Sequence, residues 1–132
     1  MRKLSRFLAI AWLAPLLALG CRHPERARSA AAPPRPTQYQ LHLGKSVFQA
    51  YCVPCHGDAG AGDGSNAFNL DPHPRDLSDP QFQKTKTNAE LVDTIRRGGA
   101  GVGMSSLMPP WGHTLNDRQI DAVVAYVRSL RR

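Results

Sequence analysis

Apolar residues in this chain form one unbroken run and a set of periodic stripes. The run occupies positions 7–20 and follows Arg2, Lys3 and Arg6. The first stripe is Leu41, Gly44, Val47, Phe48 and Tyr51, at three- and four-residue steps. That spacing lines one face of a helix. Leu91, Val92 and Ile95 make the second stripe, opened by Thr87-Asn88-Ala89-Glu90 at capping-box spacing and closed by Gly98-Gly99. Val123, Tyr126, Val127 and Leu130 make the third, with small Ala122 beside them. Asn116 with Gln119 marks its cap, and Arg128, Arg131 and Arg132 suit the negative end of its dipole. Strand signal is almost absent. The expectation is an all-α domain of three or four short helices joined by long loops.

Gly44 is costly inside a helix, by about 1 kcal/mol against alanine. Its place in the first stripe predicts that another backbone approaches closely there, unless the helix begins after it. With Ala122 on the last stripe, the first and last helices are expected to cross at short distance. Between the stripes, positions 57–64 hold four glycines and two aspartates and read as a sharply turning loop. Positions 66–80 carry three prolines and no period at all. So long an irregular stretch suits a chain that wraps a large flat cofactor. Positions 98–103 form a flexible glycine-rich loop leading to Met104 and Met108.

The N-terminal run has the layout of a secretory signal peptide over 1–20. Its fourteen residues, interrupted by Pro15, are short for crossing a bilayer. Leu17-Ala18-Leu19-Gly20-Cys21 resembles a bacterial lipobox, so Cys21 is the expected lipidation site, with an ordinary cleaved signal or an uncleaved anchor as alternatives. Positions 21–36 are rich in alanine, proline and arginine and poor in large apolar groups. They read as a disordered tether. The folded domain would then occupy 37–132.

Chemistry concentrates in Cys52-Val53-Pro54-Cys55-His56. A C-x-x-C-H run reads as a c-type haem attachment site. Two thiols three positions apart reach the vinyl groups on one edge of a porphyrin, and the adjacent imidazole takes an axial place on the iron. A zinc site would need two more ligands at suitable spacing, and His23, His42, His73 and His113 are scattered. A thioredoxin-like pair would need β-α-β units. A structural disulfide explains neither His56 nor the methionines downstream. The three cysteines are each used once, Cys21 for lipid and Cys52 and Cys55 for haem c. Export and covalent haem are mutually coherent, because bacteria attach the haem outside the cytoplasmic membrane.

A sixth iron ligand is expected from Met108, which precedes Pro109, Pro110 and Trp111. The prolines leave the backbone little freedom to lose. Met104 lies on a looser stretch, and His113 is the competing imidazole. Trp111 either covers the ring edge or anchors the loop. A carbonyl near Pro72 or Pro74 is placed to accept the other imidazole proton of His56. Arg75 is a candidate partner for a haem propionate, or else for Asp76 or Asp79. Asp58 and Asp63 lack the bidentate glutamate of a calcium loop.

Gly44-x-x-x-Phe48, the C-x-x-C-H run, Met108-Pro109-Pro110-Trp111 and a terminal helix with Tyr126 together resemble a class I cytochrome c of the short bacterial mono-haem type. The resemblance runs from Leu41 to the end. It implies His/Met ligation, an electron-transfer role, and crossed first and last helices with Phe48 and Tyr126 paired at the crossing. Asp71-Pro72-His73-Pro74-Arg75-Asp76-Leu77 also resembles haem subunits of larger respiratory or dehydrogenase complexes.

Charge adds one correction. Of the formal +7, three charges belong to Arg2, Lys3 and Arg6, and a net three to Arg22, Arg26, Arg28 and Arg35 less Glu25. Positions 37–132 keep only +1, so the high pI of about 9.9 is no argument for nucleic-acid binding. The expected protein is a non-enzymatic electron carrier on the periplasmic side of a bacterial membrane, held by its N-terminal lipid. Its partners would be an oxidase, reductase or dehydrogenase. The alternatives are a subunit of a larger complex, or a haem sensor or peroxidase with a displaceable sixth ligand.

Overall fold

The computed structural model describes residues 34–132. The signal peptide, Cys21 and most of the tether lie outside the described residues. What is described is all-helical, with no strand. The α-helices are α1 (Gln38–Tyr51), α2 (Val53–His56), α3 (Pro80–Thr85), α4 (Asn88–Arg97) and α5 (Asp117–Ser129). Single 3-10 turns lie at Ala67–Asn69 and Ala100–Val102.

The helix starts are chemically explicit. Thr37, Thr87 and Asn116 cap α1, α4 and α5, each accepting from the backbone N–H three residues on. Gln40, Glu90 and Gln119 return the bond to the cap residue's own N–H, closing a capping box every time. Asp79 caps α3, with Pro80 at its first position. Gly98 ends α4 at φ +68°, a left-handed backbone that a side chain would strain.

Five described α-helices stand against the three or four expected, because α2 and α3 carry no apolar period in the sequence. α3 is barely a turn and a half, and its one large apolar residue, Phe82, gives no period to detect. The expected flexible loop at 98–103 contains a 3-10 turn. Gly44 lies well inside α1, which settles the question of where that helix starts.

α1 and α5 cross at the centre of the domain. A Cβ placed on Gly44 would overlap the Ala122 carbonyl oxygen, so the backbones are in contact there. Phe48 and Tyr126 pair beside the crossing, with ring centroids 5.3 Å apart and planes tilted by 56°. The core around them consists of Val47, Phe48, Leu91, Leu115, Ile120, Val123, Val124 and Val127. All of these lie on α1, α4, α5 or the turn before α5. This packed half is the frame from which the chemistry-bearing loops extend.

Candidate haem site

α1 hands the chain directly to the C-x-x-C-H run. The Cys52 N–H donates to the Phe48 carbonyl at 2.8 Å, so the run begins one residue past the core helix. Cys52 then starts the single turn α2, closed by His56 N–H to Cys52 O at 2.8 Å and Gly57 N–H to Val53 O at 2.9 Å. Pro54 falls within its first turn, where no donor is missed. One turn of helix sets Cys52 and Cys55 three positions apart on the same side. Both thiols are unbridged and half-buried.

The loop after His56 folds back over this turn. Gly62 donates to His56 O at 2.9 Å, Gly64 to Cys55 O at 3.2 Å and Asn66 to Pro54 O at 2.7 Å. Gly64 is a necessity of that contact: a Cβ there would overlap the carbonyls of Val53 and Pro54.

His56 is oriented from its other side. Its Nδ1–H donates to the Arg75 carbonyl at 3.0 Å, which leaves Nε2 with a free lone pair. Burial lowers the imidazole pKa, and the carbonyl's pull on the proton opposes this only in part. With its charged form disfavoured and Nδ1 engaged, the ring presents Nε2 as a donor for iron. The acceptor carbonyl lies one residue beyond the Pro72–Pro74 stretch anticipated from the sequence.

Cys52 carries a different message. Burial, reinforced by the neighbouring Cys55, pushes its thiol up to about 12. A redox-active C-x-x-C pair works through a depressed thiol pKa. This environment does the opposite, and the described residues contain none of the strands a thioredoxin-like fold needs. Among the described residues no three His, Cys, Asp or Glu side chains gather as a metal site built from them would need.

The methionine segment is held against the end of α4. Gly99 N–H donates to Met108 O at 2.9 Å, Trp111 N–H to Ile95 O at 2.9 Å and Gly112 N–H to Arg96 O at 3.0 Å. A Cβ on Gly98 would come within 2.7 Å of Met108 O and of Pro110 N. The Gly98-Gly99 pair thus does more than stop a helix: its bare backbone is the bed on which Met108 and Pro109 lie. Sequence reasoning missed this role, although the doubled glycine was its signal. Trp111 ties the segment to the end of α1, its ring centroid 5.2 Å from that of Tyr51, the residue before Cys52.

The other candidates separate clearly. Met108 is half-buried. Met104 is 48% exposed and lines a small hollow of about 160 Å³ with Lys86, Glu90, Asp93, Thr94 and Val102, on the polar side of α4. His113 is exposed. The Arg75 guanidinium forms no ion pair among the described residues; Asp76 instead accepts from the N–H and hydroxyl of Ser78 at 2.8 and 2.7 Å.

These residues fit a covalent haem. Two unbridged thiols share one helical turn, an imidazole is tied at Nδ1, and a thioether sits on a braced segment. Tyr51, Phe68 and Leu107, on segments flanking the motif, are 38%, 86% and 46% exposed. Uncovered apolar side chains of this size are chemically suited to an apolar macrocycle beside them.

Comparison with known proteins agrees. A family model described as cytochrome C oxidase, cbb3-type, subunit III, matches residues 40–127. The cbb3-type cytochrome c oxidase subunit FixP of Bradyrhizobium diazoefficiens is 34% identical over 103 residues, 78% of this chain and 32% of that protein. The chain therefore spans about a third of that relative. Cytochrome c6 of Tetradesmus obliquus is 38% identical over 87 residues, 66% of this chain and 86% of that protein. Among solved structures, the Kuenenia stuttgartiensis reducing HAO-like protein complex Kustc0457/Kustc0458 superposes with a TM-score of 0.62 at 26% identity, covering 76% of this chain and 47% of that one.

Proposed function

Because this chain belongs to the cytochrome c family, matching its cbb3-type oxidase subunit III domain over residues 40–127 and thereby carrying covalent haem c, we propose that it is a single-electron carrier. Its iron is held by His56 and Met108, and Cys52 and Cys55 anchor the ring. The haem supplies a one-electron Fe(III)/Fe(II) couple. The protein's part is to keep both axial donors in place through the change of charge. The observation that carries this reading is the His56 ring, fixed by its 3.0 Å bond to the Arg75 carbonyl beside two unbridged thiols.

A carrier is favoured over a sensor or peroxidase by the bracing of the methionine segment. Gly99 and Trp111 hold that segment to α4, and Tyr51 meets the Trp111 ring. A donor on such a segment is not easily displaced by substrate. Arg75, with its guanidinium unpaired, is assigned to a haem propionate, and Trp111 to the ring edge.

Met108→Ala tests the ligand directly. The ferric wild type is expected to be low-spin with a methionine–iron band at the red end of the visible spectrum. The variant loses that band and turns high-spin or takes up exogenous ligand. Its reduction potential falls by a sizeable part of the about 0.8 V over which axial ligands tune haem. A high-spin wild type, or a variant with unchanged spectrum and potential, removes Met108 from the iron and with it the carrier assignment.

The signal-peptide layout of positions 1–20 and the lipobox-like run before Cys21 support a domain on the periplasmic side of a bacterial membrane, joined to it by a lipid. No described helix is long and apolar enough to cross a membrane. Mass spectrometry of the mature protein should find Cys21 first and acylated; an unmodified N-terminus elsewhere contradicts the anchor. Tethering would raise the effective concentration at a membrane-bound redox partner. The naming of FixP as an oxidase subunit supports an oxidase as that partner, and near-complete coverage of cytochrome c6 supports a free-standing carrier. With a near-neutral domain, the encounter would be small and only weakly steered by charge.

A further inference from the structure

The carbonyl that orients His56 belongs to an irregular loop with no periodic structure of its own, so something else must hold it still. The described hydrogen bonds lead from that loop to α3 and the last turn of α5. Leu77, two residues past Arg75, has both backbone groups engaged. Its N–H donates to Gly60 O at 2.6 Å, and its carbonyl accepts from Gln83 Nε2 at 2.6 Å. Gln83 Nε2 also donates to Val127 O at 2.9 Å, while its Oε1 accepts from Arg128 Nη1 at 3.0 Å. The amide can sit only one way round. Reversed, it would aim oxygen at two carbonyls and nitrogen at a guanidinium donor.

Arg128 is committed to this arrangement. Its Nη1 also donates to Gln83 O at 2.8 Å, Nε donates to Asn88 Oδ1 at 2.7 Å, and Nη2 donates to Lys86 O. It is half-buried and forms no ion pair among the described residues. A guanidinium spending its donors on neutral acceptors is holding backbone in place, since its planar fork favours several fixed bonds at once. The path from α5 to the imidazole is short: Arg128, Gln83, Leu77, then the Arg75 carbonyl on His56.

We propose that Gln83 and Arg128 are positioning residues for the haem iron, fixing the Arg75 carbonyl through Leu77 and so setting the donor strength of His56. This rests on the haem reading above. A firm Nδ1–H···O=C bond makes the imidazole a stronger donor and favours the ferric state. Loosening it weakens the donor and raises the potential.

The test uses the haem-loaded protein. Gln83→Leu removes both amide donors. Gln83→Glu keeps an acceptor for Arg128, hence the α3–α5 attachment, but sets an oxygen against the Leu77 carbonyl. Asn88→Ala removes one Arg128 bond without touching Gln83 and serves as the control for general loosening. In both Gln83 variants the ratio of reduced to oxidised protein at fixed ambient potential should rise at least about threefold, or about 28 mV at about 59 mV per tenfold. The Leu77 amide proton should exchange faster. Asn88→Ala should leave the potential at the wild-type value even where it lowers the melting temperature.

Unchanged potentials in folded Gln83 variants overturn the proposal. So does an equal shift in Asn88→Ala, which would mean that any loosening suffices. Should Gln83→Leu fail to hold haem, Gln83→Glu alone decides. If neither holds haem, slow Leu77 amide exchange in wild type that is equally slow in Arg128→Lys counts against it, and faster exchange there supports it. A wild type without haem would instead defeat the reading on which this rests.

Discussion

Gly44→Ala is expected to lower the melting temperature of the haem-loaded protein by at least about 8 °C, and Gly44→Val to prevent its accumulation. Helix propensity alone predicts the reverse, since alanine is favoured over glycine by about 1 kcal/mol in a helix interior. The crossing decides the sign. The added methyl would overlap the Ala122 carbonyl oxygen and come within 2.9 Å of Tyr126 Cβ. Overpacking commonly costs about 1–3 kcal/mol even where a side-chain end can move aside. Here the obstacle is the backbone of α5, so the upper end applies. A net loss of about 2 kcal/mol corresponds to about 8–16 °C in a domain of this size.

A second variant sharpens the point. Because the overlapping atom is a carbonyl oxygen, Ala122→Gly cannot rescue Gly44→Ala, as a merely side-chain clash would allow. Thermal melts followed at 222 nm and in the Soret band check both statements. Melting at or above the wild-type temperature, or rescue by Ala122→Gly, would show that the helices do not meet as described.

That crossing was legible in the sequence because its parts are few and local. A glycine on an apolar stripe and a small residue on another state the close approach, and Phe48 and Tyr126 complete it. The capping boxes at Thr87 and Asn116 were equally readable, because the signal is contained in four residues. The identical signal at Thr37 and Gln40 is present too, but lies before the first apolar position and went unread.

What could not be read is what depends on tertiary contact. α3 has one large apolar residue and no period. A carbonyl acceptor for His56 could be expected near Pro72 or Pro74, and the fold supplies it at Arg75, but the bonds that hold that carbonyl come from distant parts of the chain. Arg128 reads as a charge near a helix C-terminus, whereas the fold uses it to bind Gln83, Asn88 and Lys86 from another part of the chain. The donor set of the site was visible, and the frame that aims it was not.

That division between frame and site leads to the largest effect expected of any substitution. Cys52→Ser/Cys55→Ser protein should carry no haem on a denaturing gel and should show no cooperative melt. The buried apolar residues are distributed unevenly. Val47, Phe48, Leu91, Leu115, Ile120, Val123, Val124 and Val127 all belong to the α1–α4–α5 half. Between Cys52 and Asp79 the only buried apolar side chain is Ala67, and the buried polar one is Ser78. A segment with one buried methyl group cannot offset an ordering cost of about 1–2 kcal/mol per residue. Its remaining ties are the partly buried Val53 and Leu77 against the core and hydrogen bonds to α2, Gln83 and Arg132, each bond worth about 1 kcal/mol net. Covalent haem supplies the missing apolar surface to this half, and a ligand bound only by the folded state adds directly to stability.

Without the two thioethers, the loops from Gly57 to Leu77 should exchange their amide protons freely, and α1 and α5 alone should retain partial helicity. Cys55→Ser alone keeps one attachment and should fall between the two, with haem still bound but a lowered melting temperature. A haem-free double variant with a native-like cooperative melt, and with protected amides at Gly60, Gly62 and Leu77, would mean that these loops hold themselves. The bond network that aims His56 would then be a property of the polypeptide alone. With haem attached, polypeptide and cofactor complete one structure between them: the helical half determines where the ring can be held, and the ring gives the looped half its reason to be ordered.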